Sequence, residues 1–180
     1  MDAYALLIAA TLNAGTVLAI ASLGLLINEK AGIVNLGAEG MMLCAAIAGF
    51  AAVVHTGSDV AGFAAGMAAG AVMAAIFGVL VIWLNTNQYA TGLALSLFGA
   101  GFSAFAGISY VQEKMPDRPS FAVPGLSDIP FVGPAFFKHH PMVYLTVIFA
   151  LGLIWFLYRT RAGLIPVSYT HLTLPTSDLV

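Results

Sequence analysis

Apolar residues run along this chain in stretches far longer than an amphipathic helix requires, and polar residues only punctuate them. No charged side chain occurs between Asp2 and Glu29, between Glu39 and Asp59, or across the 53 residues that separate Asp59 from Glu113. About 18 such residues make a membrane-span candidate, and about 20 helical residues cross a hydrocarbon core of about 30 Å. A charge at mid-bilayer costs about 2.5 to 3.5 kcal/mol on insertion scales, so a run cleared of all of them fits lipid, and a soluble core would not need it. The runs do not alternate as the strands of a membrane barrel do. The pattern predicts an all-α fold, a polytopic transmembrane helical bundle.

Punctuation divides the bundle into about five crossings. The first helix spans about residues 4–27 and ends at Asn28-Glu29-Lys30; it has no basic leader and is too long for a signal-peptide core, so it reads as a retained span. The second spans 33–54, after a stretch holding Gly32, Gly37 and Gly40, and closes before His55-Thr56-Gly57-Ser58-Asp59. Residues 60 to 112 are too long for one crossing, and Asn85-Thr86-Asn87-Gln88 splits them into helices at 60–84 and 89–110. Residues 111–141 gather six charges and the prolines Pro116, Pro119, Pro124, Pro130 and Pro134, a composition that cannot span lipid and reads as an exposed loop with a short interfacial piece. The last helix, 142–158, is closed by Arg159 and Arg161. By parity Lys30 lies on the same side as those arginines, so the positive-inside rule puts that side in the cytoplasm and the N-terminus outside.

Composition agrees with this picture: 61% hydrophobic, 8% charged, mean hydropathy +0.97 and 19 glycines. A net charge of -2 gives no reason to expect a nucleic-acid partner. Cys44 is the lone cysteine, so no internal disulfide forms, and its apolar setting reads as packing. Gly62, Gly66 and Gly70 repeat every fourth residue on one face of the third helix and allow a neighbouring backbone to approach, within the chain or across a dimer.

The most informative segment is NEKAGIVNLGAEGMML, residues 28–43, which sets Asn35 and Glu39 among glycines at the threshold of a membrane helix. Glycine admits an unwound turn there, and a partly broken segment near the start of the second helix would expose backbone groups to a polar substrate. A helical segment would instead put Asn35 and Glu39 one turn apart on one face, with Glu39 favoured near the helix N-terminus. Asn85, Asn87 and Gln88 read either as an interhelical turn or as a second discontinuity; their amides both donate and accept, which suits a neutral hydroxylated solute. His139-His140 have no further ligands nearby and read as a solvated loop end. No nucleophile-base pair, phosphate loop or metal-ligand spacing occurs, so neither an enzyme nor a cofactor or metal site is expected.

That first motif, together with NTNQYATGLALSLFGAGFSAFAG from Asn85 and YRTRAGL from Tyr158, resembles the permease subunits of bacterial ABC importers. The class includes the ribose and branched-chain amino acid systems, and the resemblance is nearest to the nucleoside and simple-sugar branch. It covers about residues 1–164. It implies a multi-pass plasma (inner) membrane subunit that moves a neutral polar solute inward by alternating access, a nucleoside first and a simple sugar next. The partners it implies are separate ATP-binding cassette subunits, a second permease subunit and an extracytoplasmic solute-binding protein, all in a lipid bilayer. By motif match, Asn35, Glu39, Asn85, Asn87 and Gln88 become candidates for the substrate pathway or the broken helix. The rivals are a proton-coupled secondary transporter, with Glu39 as its titrating carboxylate, and a structural membrane subunit without its own pathway. Family members are nearly twice as long. Residues 165–180 depart from the family pattern and resemble translated sequencing-adapter sequence, so native sequence is expected to end near Leu164.

Overall fold

The computed structural model describes residues 2–114, 121–122 and 132–160. Among the described residues five helices are long and apolar enough to cross a membrane: Ala3–Lys30, Ala38–Thr56, Asp59–Trp83, Gln88–Tyr110 and Pro141–Arg159. The chain divides into two compact units, one of Met1–Gly32 with Arg118–Val180 and one of Ile33–Asp117.

In the first unit, α1 (Asp2–Lys30) packs against α5 (Val132–Phe136) and α6 (Pro141–Arg159). Its buried residues include Ala5, Ala135, Thr146, Leu153 and Leu157. Helix α6 starts where proline is best tolerated, with Pro141 in its first turn and His140 Nδ1 accepting the Met142 N–H at 3.4 Å. A two-residue antiparallel pairing of β1 (Phe121–Ala122) with β2 (Lys138–His139) precedes it. The expectation that His139 is solvated is overturned. It is buried at 1% exposure, and its Nε2 lies 2.8 Å from the Ala135 carbonyl oxygen. The one-turn helix α5 folds the segment back over it, a tertiary effect with no local sequence signal.

The second unit is a three-helix layer of α2 (Ala38–Thr56), α3 (Asp59–Gly78) and α4 (Gln88–Gly107). Helices α2 and α3 form an antiparallel hairpin. Gly57 makes the reversal at φ 67°, its N–H donating to Val53 O at 2.8 Å, and Ser58 caps α3. The seam between these helices is glycine on glycine. A Cβ placed at Gly49 would stand 3.0 Å from Gly62 O, and one at Gly66 would stand 3.2 Å from Ala45 O. A Cβ at Gly62 would collide with Val53 Cγ2, whereas one at Gly70 would make an ordinary contact, 3.8 Å from Ala45 Cβ. The face of α3 that carries Gly62 and Gly66 therefore lies against α2.

Helix α3 ends in a π-helical turn, Val79–Trp83, in which Leu84 N–H reaches back five residues to Val79 O at 3.1 Å. Asn85 then takes the left-handed conformation, φ 50°, that asparagine tolerates better than most residues. Thr86 donates twice to Leu80 O, through its N–H at 3.1 Å and its hydroxyl at 2.8 Å. Asn87 caps α4 by accepting the N–H groups of Tyr89 and Ala90 at 2.9 and 3.2 Å. The island at 85–88 is thus an interhelical turn in which Asn87 and Thr86 make local bonds.

Helices α2 and α4 run parallel. They cross at Gly40 and Gly99, and just past the end of α4 Tyr110 packs edge to face on Phe50 with ring centroids 6.0 Å apart and its hydroxyl 3.0 Å from His55 Nε2. Cys44, Met73, Phe77 and Leu95 form the buried cluster among the three helices, with Ile33 and Met41 packed on it. Outside it the surface is apolar: Val60, Trp83 and Phe105 are each more than three-quarters exposed, as befits a solvent of lipid tails.

Gly40→Val would force α2 off α4, since its Cβ would meet the Leu95 carbonyl oxygen and lie 2.6 Å from Ser96 Cα. A loss of about 1 to 3 kcal/mol or more is expected in reversible unfolding in detergent micelles. Gly101→Ala, with nothing within 4 Å of its Cβ, should be neutral or slightly stabilising.

Candidate functional site

The second helix starts at Ala38, not at residue 33 as the sequence pattern predicts. Gly32 leaves α1 at φ 80°, and Ile33, Val34 and Asn35 have no helical structure. The cause is a competing set of partners on α4. Val34 N–H donates to Gln88 Oε1 at 3.0 Å, and the Ser96 hydroxyl donates to Leu36 O at 2.8 Å. Asn35 Oδ1 accepts the Gly37 N–H at 2.8 Å, and its Nδ2 lies 3.6 Å from Met41 Sδ. Side chains thereby satisfy backbone groups that a helix would have satisfied itself.

The segment can lie this close because α4 has no side chain in its way. A Cβ at Gly92 would stand 2.9 Å from Leu36 N and 3.0 Å from Gly37 N. Gln88 opens α4 and Ser96 lies eight residues further on, so the two side chains that hold the extended strip are about 12 Å apart along that helix, within the span. Non-helical backbone at such depth is tolerated only where protein buries it or water reaches it.

The structure separates Asn35 from Glu39. Asn35 is 8% exposed and turned into the unit, while Glu39 is exposed in the first turn of α2, where the helix dipole favours a carboxylate. Gln88 joins Asn35 in holding the segment. Asn85 and Asn87 shape the turn beside it, with their side chains exposed. A groove of about 550 Å³ between α3 and α4, lined by Met73, Leu80, Thr91 and Phe98 among others, opens near that turn. Its walls are apolar, a poor match for a hydroxylated solute. Among the described residues no group of three His, Cys, Asp or Glu side chains could hold a metal ion.

Sequence reasoning missed Gly92, Ser96 and Gly99. They recur at the helical spacing of four and three, so one small face of α4 was legible, but nothing marked it as the bed of an extended strand.

The profile of the family described as the branched-chain amino acid transport system permease component matches residues 7–168. The chain belongs to that permease family. It is accordingly a multi-pass protein of the plasma (inner) membrane. A putative glucose ABC transporter permease of Haloferax volcanii is 42% identical over 163 residues, covering 88% of this chain and 49% of the relative. The guanosine ABC transporter permease of Bacillus subtilis is 31% identical over 175 residues, and the nucleoside ABC transporter permease of Lactococcus lactis 28% over 173, each covering 88% of this chain and 54% of the relative. The chain spans about half the length of the curated relatives it matches. No solved structure matches it.

Gln88→Leu would leave the half-buried Val34 N–H without its acceptor, a loss of about 1 to 3 kcal/mol. Amide exchange followed by mass spectrometry should then quicken about 10-fold or more at residues 33–37, with the far ends of α2 and α4 unchanged.

Proposed function

We propose that the chain forms the N-terminal part of the transmembrane permease subunit of an ABC importer, moving a neutral polar solute inward by alternating access. A nucleoside is the first choice and a simple sugar the next. The observation that carries this reading is the extended strip at 33–37, held between Gln88 at the start of α4 and Ser96 about 12 Å further along it, because a break of this kind supplies backbone donors and acceptors to a passing solute. The names of the relatives, glucose, guanosine and nucleoside permeases, support the same solute chemistry.

In this reading Asn35 and Gln88 hold the strip open, Glu39 faces the pathway from the first turn of α2, and Asn85 and Asn87 keep the turn at 85–88 closed beside it. The permease performs no covalent step. Binding and hydrolysis of ATP on partner subunits bias the two access states, a second permease subunit completes the pathway, and an extracytoplasmic binding protein delivers solute.

A proton-coupled carrier remains the alternative that the exposed carboxyl of Glu39 favours. Uptake of radiolabelled nucleosides and pentoses into vesicles holding the full-length permease with its ATPase and binding protein separates the two. One solute class taken up only with ATPase and ATP supports the importer; uptake driven by a proton gradient alone overturns it. Within that system Glu39→Gln should lower uptake at unchanged assembly, and full uptake would remove Glu39 from the pathway.

A further inference from the structure

At the end of α3 two sets of donors compete for one carbonyl. In an α-helix the Leu84 N–H would donate to Leu80 O, four residues back. It reaches instead to Val79 O at 3.1 Å, and the turn Val79–Trp83 is π-helical. Leu80 O is already taken. The Thr86 N–H donates to it at 3.1 Å and the Thr86 hydroxyl at 2.8 Å, which fills both lone pairs of the carbonyl. The hydroxyl has a single proton, and that proton goes to Leu80 O. The Thr91 hydroxyl, 2.9 Å from Thr86 Oγ1, is therefore the donor in that pair. Two hydroxyls in series thus join the first turn of α4 to the π-helical turn.

The same turn positions the strip at 33–37. Asn85 reverses the chain at φ 50°, and only Asn87 separates Thr86 from Gln88, whose Oε1 accepts the Val34 N–H at 3.0 Å. Leu80 and Val81 pack on the buried cluster against which Ile33 of the strip also rests. All of these groups belong to the unit Ile33–Asp117. Loss of the Thr86 hydroxyl would free one lone pair of Leu80 O, and the Leu84 N–H needs to move its bond by only one carbonyl to take it. That exchange closes the π-helical turn to the α register, the more common form, in which the donor count at Leu80 O is again two. One residue of register is about 100° of rotation and about 1.5 Å of rise. Trp83, Leu84 and the turn that follows would swing with it and draw Gln88 off Val34.

We propose that Thr86 is a positioning residue: by filling Leu80 O it holds the end of α3 in the π register, and that register keeps Gln88 on the Val34 N–H and the strip extended. The test uses the full-length permease with its ATPase and binding protein in lipid nanodiscs and vesicles. Native cysteines, Cys44 included, are replaced by alanine, and spin labels at Leu43→Cys on α2 and Trp83→Cys at the end of α3 report the register. Thr86→Val should change the distance between the labels by about 5 Å or more. Amide exchange at 33–37 should quicken about 2- to 10-fold, and uptake should fall by a similar factor. Thr86→Ser keeps the hydroxyl and should restore all three readings, and Thr91→Val, which leaves the bond from Thr86 to Leu80 O in place, should keep the label distance. Thr86→Ala gives the same test if valine prevents folding. An unchanged distance in Thr86→Val would reduce Thr86 to a helix cap and overturn the proposal. A changed distance with unaltered exchange at 33–37, or with full uptake, would overturn it as well, since the register would not govern the strip. Only the uptake reading rests on the importer proposed above: wild-type uptake driven by a proton gradient alone would overturn the importer, and the label distance and exchange would still decide the role of Thr86.

Discussion

In hydrocarbon no water is available to pair a backbone group, so each stretch that leaves the helix must find its partners inside the protein. The rest of the second unit is arranged around that constraint at residues 33–37. Gln88 supplies an acceptor, Ser96 a donor and Asn35 an acceptor for its own neighbour, and Gly92 removes the side chain that would hold the strip off α4. Each element has one job, and losing any of them leaves a polar group bare at a depth where that is most expensive.

The same reasoning explains why glycine, and not leucine, dominates the contacts among α2, α3 and α4. Lipid tails are as apolar as a leucine side chain, so burying apolar area gains little, and close backbone approach with many dispersion contacts holds the helices instead. Gly40 on Gly99 and Gly49 on Gly62 are the two places where this is most complete. The small buried cluster around Cys44 and Leu95 fills the space between those crossings.

Much of the architecture was legible from the sequence, because absence of charge reports the bilayer directly. The spans and the turn at Asn85 to Gln88 follow from where polar residues stop, and the family from the resemblance of the motifs that begin at Asn28, Asn85 and Tyr158. The start of α2 was not legible. Local pattern at Ile33 and Val34 favours helix, and the choice against it is made by Gln88 and Ser96, more than fifty residues away in sequence. Asn35 and Glu39 shared a helical spacing but not a face, since the strip ends between them. His139 was misread for the same kind of reason: its burial depends on α5, a single turn that carries no periodic signal.

Helices α2 and α4 touch backbone to backbone at Gly40 and Gly99 and meet again at their far ends through His55 and Tyr110. A contact without intervening side chains has no rotamers to absorb a displacement. The glycine crossing therefore fixes the spacing of the two helices, while the contact at their far ends rests on two side chains that can turn.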